Sequence, residues 1–146
     1  MRMMSPEVGP RADAALLVLR VVVGAAFVLH GFPKIQHATT WATKPLPGTP
    51  FWLQAIAAFA EFGGGIALIL GILTPLFAFL IACDMVVAIF FVALPHGATF
   101  VSNAGGLTFE LPLVYLAAAF TLLLLGPGRA SLDAALFRER TSRRRR

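Results

Sequence analysis

Charge is scarce in this chain, and cysteine scarcer still. Asp, Glu, Lys and Arg make up 13% of the 146 residues, against roughly 25% in a typical soluble domain. A water-soluble globule of this size is therefore not expected. Cys83 is the one cysteine. That excludes an internal disulfide, a CxxC pair and a self-contained dithiol relay; the residue reads as a small core side chain of a helix. No GxGxxG follows a strand pattern, and no haem-ligand or flavin motif is present. Lys and Arg are also missing from two whole connections, around residues 72–75 and 95–106.

What fills the space is hydrocarbon. The chain is 58% hydrophobic, with a mean hydropathy of +0.82. Four apolar runs carry it, at about 14–32, 52–73, 75–94 and 107–125. Each approaches the ~20 residues that cross ~30 Å of bilayer. The expected fold is all-α, a transmembrane four-helix bundle spanning 14–125, with a lead at 1–13 and a juxtamembrane tail at 126–146. The first run is not read as a cleaved signal, because Arg20 interrupts it and no small-residue cleavage site follows.

Basic residues set the expected orientation. Arg2 and Arg11 precede the first run, Lys34 and Lys44 follow it, and Arg129, Arg138, Arg140 and Arg143 to Arg146 follow the last. Both termini are expected in the cytoplasm of a bacterial-type inner membrane. The pI of about 10.7 then reflects topology and contact with the lipid bilayer, and no nucleic-acid partner is implied.

Local signals divide the chain further. Pro33 reads as the stop of the first helix. The proline-rich stretch 33–50 reads as an irregular outer loop, with Trp41, Phe51 and Trp52 at the interface. Thr74 reads as the cap of the third helix, before Pro75. Pro112 places the regular start of the fourth helix near Glu110, with 105–111 a candidate re-entrant stretch. Ser131 reads as the cap of a short interfacial helix bearing Leu132, Leu136 and Phe137.

Five polar residues, Arg20, His30, Glu61, Asp84 and Glu110, lie in or at the ends of the runs. A charge at mid-bilayer costs about 2.5–3.5 kcal/mol, so each needs a partner or a wet cavity. From the inner edge, Arg20 lies at ~9 Å, Asp84 at ~14 Å, Glu61 at ~18 Å, and His30 and Glu110 at ~22–24 Å. Arg20 with Asp84 is the expected structural ion pair, with Glu61 the alternative partner. Arg20, Phe27, His30 and Lys34 share an arc of roughly 80° on the first helix. Small residues Gly24, Gly31, Ala57, Gly64 and Gly71 recur at seven-residue spacing and read as helix-packing stripes. A buried Glu is also a fair proton relay. No metal-ligand spacing is present among the histidines and carboxylates.

"LRVVVGAAFVLHGFPK" at 19–34, "AEFGGGIALILGILTP" at 60–75 and "GPGRASLDAAL" at 126–136 together resemble the DoxX family of small four-span membrane proteins. The residues that carry the resemblance are Arg20, Gly24, His30, Gly31 and Lys34, then Glu61, Gly64, Gly71 and Thr74, then Gly128, Ser131, Leu132 and Asp133. Glu110 stands where the family often has an acidic residue. The resemblance implies a link to quinone-dependent oxidoreductases and to oxidative or thiol stress, with quinone the implied ligand and a soluble or membrane redox protein the implied partner. It gives the fold more securely than the reaction.

Three readings stay open at this stage. In the first, the chain is a quinone-linked redox subunit: Arg20, His30, Lys34, Glu61 and Glu110 line the ligand site, and Glu61, Glu110 and His30 transfer protons. In the second, it is a non-catalytic anchor whose buried charges specify helix pairing. In the third, it is a small transporter or ligand-binding protein, with a homo-oligomer allowed. The topology is directly testable. A fluorescent reporter that matures only in the cytoplasm is expected to light up at either terminus and to stay dark when inserted after Gly97.

Overall fold

The structure, a computed structural model, describes residues 9–42, 48–103 and 105–136. The lead up to residue 8, Lys44, Phe137 and the arginine-rich tail lie outside the described residues. Four apolar helices dominate: α1 (Pro10–Gln36), α2 (Phe51–Leu70), α3 (Thr74–Val87) and α4 (Glu110–Leu125). No β-strand forms among the described residues. α3 runs on through a π-helical stretch, Ala88–Ala93, and a 3-10 turn, Leu94–His96, giving a 23-residue apolar rod. α1, α2 and this rod are long and apolar enough to cross a membrane. α4, with 16 residues, is about 24 Å long.

α1 packs most extensively on α2, and α3 on α4; the α2–α3 contact is narrower and the α1–α4 contact narrower still. Leu16, Val23, Phe27, Leu68, Ala78, Ile81, Met85, Ala119 and Leu122 make the shared core. Large side chains such as Leu29, Phe91 and Leu124 point outward instead, as lipid-facing residues do on a helix that is apolar all round. The described parts of the two long loops, 37–42 with 48–50 and 97–103 with 105–109, lie at one end of the helices. The α2–α3 turn and both described chain ends lie at the other, where the Arg129 amide donates to Asp13 Oδ1 (2.9 Å). The stretch 105–109 is not re-entrant. It folds back on the preceding loop, with Thr99 N donating to Leu107 O and Phe109 N to Thr99 O, and helix resumes at Glu110.

Glycine sets how closely α1 and α2 approach. A Cβ on Gly24 would sit 2.6 Å from Gly65 O, and one on Gly65 would sit 2.7 Å from both Gly24 O and Val28 N. A Cβ on Gly31 would strike the backbone of Phe62 and Glu61. The expected α2 stripe of Ala57, Gly64 and Gly71 is not a single surface, and Gly65, outside it, is the residue that meets α1. Gly64 faces Phe77 and Ile81 of α3, and Ala57 is half-buried. Gly71 ends α2 with φ 68°, lying against the Arg20 guanidinium. The physical reason is that α2 is sandwiched, so adjacent glycines about 100° apart serve different neighbours.

Gly65→Ala is expected to lower stability in detergent by at least the ~1–3 kcal/mol of core overpacking, because the obstacle is backbone. Gly63→Ala should change little, since its Cβ meets only the Phe59 side chain, an exposed ring that is free to move. Reversible unfolding of both variants in mixed micelles compares them.

Candidate functional site

Pro33 does not stop α1; the helix continues to Gln36. Proline in a final turn removes one backbone hydrogen bond, and packing of Gly31 on Phe62 holds that turn in place. The extra turn carries Lys34 onto α2. Its Nζ donates to Glu61 Oε1 at 2.5 Å. The Glu61 side chain is 4% exposed and that of Lys34 28%, so the pair is a buried carboxylate under a half-buried ammonium. Trp41 roofs it, with Lys34 Nζ 4.5 Å from the ring centroid, a cation–π contact.

A residue that sequence reasoning passed over fixes this roof. Gln54, buried in the first turn of α2, accepts from the Ala42 amide (3.0 Å) and donates to Thr49 O (2.9 Å). Its own carbonyl accepts from Trp41 Nε1 (2.9 Å). Trp41 is thus a lid anchored to α2 and not only an interface residue. A glutamine within an apolar helix was the available signal.

The expected Arg20–Asp84 ion pair does not form. Asp84 lies beside Glu61, within hydrogen-bonding reach of its carboxyl, and also feels the charge of Lys34. The register of α2 against α3 explains this. Gly64 packs on Ile81; one turn towards the loop end from each lie Glu61 and Asp84, so antiparallel helices bring the two carboxyls level. The result is one ammonium and two carboxyls from three helices. Glu61 Oε2 is buried with no hydrogen-bond partner among the described residues.

His30 and Glu110 do not join this group. His30 is exposed, its Nδ1 paired with Ala26 O of its own helix at 2.8 Å. Its ring meets Tyr115 of α4 edge-on at 6.1 Å, and Tyr115 packs on Phe27 at 4.9 Å. Glu110 is exposed in the first turn of α4, where the helix dipole favours a carboxylate. Cys83 is exposed, not a core residue. It lies about 140–160° around α3 from Ala78, Ile81 and Met85, which take the inner face.

Arg20 sits at the other end of α1, about 21 Å from Lys34 along the axis. It is fully buried, its Nη2 donating to Ala130 O at 2.5 Å. The charge it feels is that of Asp133. Asp133 accepts from Leu73 N (2.8 Å) and Thr74 N (2.9 Å), and so caps α3. Thr74 is the cap expected from sequence, yet its Oγ1 is buried without a partner among the described residues. Leu73 adopts φ 48°, which presents the two amides to the carboxylate. Ser131 does cap the short helix at 132–136, its Oγ accepting from Ala134 N (3.1 Å). Arg20 is therefore a closure residue of the terminal end. Asp133→Ala is expected to cost about 1–2 kcal/mol, as when the carboxylate that caps a helix is removed. Asp133→Asn should cost less, and unfolding in mixed micelles measures the difference.

Comparison with known proteins agrees with this architecture. The DoxX family model matches residues 15–94, a stretch that holds Arg20, Lys34, Glu61 and Asp84. The chain is 30% identical to the inner membrane protein YqjF of Escherichia coli, over 85% of this chain and 93% of that one. It is 33% identical to an uncharacterized protein of Haemophilus influenzae, over 85% and 92%. It is 30% identical to the putative oxidoreductase CatD of Bacillus subtilis, over 86% and 90%. No solved structure matches. With its apolar helices and its glycine-packed α1–α2 core, the chain is an integral membrane protein and belongs to the DoxX family.

Proposed function

We propose that this protein is a four-span inner-membrane subunit of a quinone-linked oxidoreductase, with both termini cytoplasmic, and that Lys34 and Glu61 receive the quinone headgroup. The observation that carries the reading is the half-exposed Lys34 ammonium paired with a buried Glu61 beneath the Trp41 ring. An ammonium donates to a quinone oxygen and stabilises negative charge as it develops there. A carboxylate accepts a hydroxyl hydrogen of the reduced form. Trp41 offers an aromatic face on which a quinone ring stacks.

Quinone reduction takes two electrons and two protons. The described residues contribute charge, a proton site and an apolar surround; the electrons come from a redox protein partner. The name of the relative CatD, a putative oxidoreductase, supports this assignment, and that of YqjF supports the membrane. His30 and Glu110, on other faces of the molecule, are not assigned to the headgroup.

The test is binding of a short-chain quinone analogue to the full chain in lipid nanodiscs. Lys34→Met and Glu61→Gln are each expected to weaken it tenfold or more, with helicity retained by circular dichroism. His30→Ala should bind as the parent does. Binding unchanged in both Lys34→Met and Glu61→Gln overturns the reading.

A further inference from the structure

The Lys34–Glu61–Asp84 group does not balance. One ammonium faces two carboxyls, so full ionisation leaves a net negative charge among apolar helices. Such a charge is expensive in hydrocarbon. Two adjacent carboxylates also repel, and the usual resolution is that they hold a proton between them. Three observations place that proton. Glu61 Oε2 is a buried acceptor with no donor among the described residues. Asp84, half-buried on α3, is the neighbouring carboxyl that the α2–α3 register brings level with Glu61. Lys34 already donates to the opposite oxygen, Oε1. A carboxylic O–H on Asp84 would give Glu61 Oε2 its missing donor and bring the group to neutrality.

Among the described residues, no other charge competes for this position. α1 contributes Lys34, while its His30 turns to Tyr115. α3 contributes Asp84. On α4, Glu110 is exposed and Tyr115 packs on Phe27. Beyond α3, His96 is exposed and pairs with Val92 O. Arg20 is held by the terminal segment at the far end.

We propose that Glu61 and Asp84 form a proton-storing carboxyl pair, one exchangeable proton bridging Asp84 and Glu61 Oε2, with Lys34 as the counter-charge. Release of that proton takes the group from neutral to a single negative charge, breaks the Asp84 O–H bond and leaves both carboxylates facing Lys34. The half-exposed Lys34 marks the side on which the pair communicates with solvent or a ligand. This assignment gives Asp84 a working role and does not depend on which ligand the site takes.

Infrared difference spectroscopy tests it on the full chain in nanodiscs at neutral pH, with no quinone added. The parent is expected to show the carbonyl stretch of a protonated carboxylic acid, shifted in D₂O. Asp84→Asn should lose the band. So should Glu61→Gln, since one carboxylate then faces one ammonium. Circular dichroism establishes that each variant is folded. If Asp84→Asn does not fold, the parent and Glu61→Gln spectra decide alone. Absence of the band in the parent overturns the proposal, as does a band that survives either substitution in folded protein. So does a band that appears only when sodium is removed, because a cation then occupies the position. Quinone-analogue binding that is unchanged in Lys34→Met and Glu61→Gln, with the band present in the parent, would overturn the quinone assignment and leave the carboxyl pair standing.

Discussion

The close approach of α1 to α2 is the constraint on which the rest depends. Helix axes come this near only where side chains are absent. Gly24 and Gly65 meet backbone to backbone, and Gly31 lies on the Phe62 peptide. Dispersion over such a contact is short-ranged and lost quickly with separation. Because the two helices are held this closely, a lysine one turn beyond Gly31 reaches a carboxylate on α2. Helix continues through Pro33 because the neighbour it leans on is already fixed. A wider spacing would leave Glu61 with neither its ammonium nor its Trp41 cover.

The polar residues divide between the two ends, and their surroundings differ in kind. At the terminal end, Arg20 is fully buried against Ala130, Gly71 and the closing segment that carries Asp133, although its Nε and Nη1 have no hydrogen-bond partner among the described residues. At the loop end, the ammonium is half-exposed, the carboxyls outnumber it, and one oxygen lacks a donor. Both ends hold an incompletely satisfied buried group, so the difference lies in exposure: the loop-end ammonium is open to a ligand, and the Arg20 guanidinium is not. This contrast separates residues that the sequence presents as one series.

Much of this was legible in the sequence, and the errors share a cause. Helix number, the start of α4 at Glu110 and the packing role of Gly24 and Gly31 follow from hydropathy, proline chemistry and residue size. Axial depth followed from a constant rise per residue, and it set Glu61 and Asp84 within one turn of each other. Azimuth between helices did not follow, because it depends on which glycine faces which neighbour. Arg20 and Asp84 were paired on depth, but they lie on faces turned to different partners. The core reading of Cys83 fails for the same reason, whereas Gly64 does pack on a neighbouring helix, α3. Asp133 was visible in the third motif, yet its partners are 59 and 60 residues away, beyond the reach of local patterns. Gln54 gave a signal, a lone amide in an apolar helix, that was not used.

The capping of α3 by Asp133 also fixes an order of events. The α2–α3 turn leaves the ribosome some 60 residues before the carboxylate that satisfies its amides. Until then Leu73 has no reason to hold a left-handed conformation, and Arg20 has no counter-charge beside it. The hairpin of α2 and α3 therefore enters the lipid with one end unfinished. A chain that stops short of the closing segment leaves the Arg20 guanidinium without its Ala130 acceptor and the Leu73 and Thr74 amides open at that end, a polar defect that is costly next to hydrocarbon.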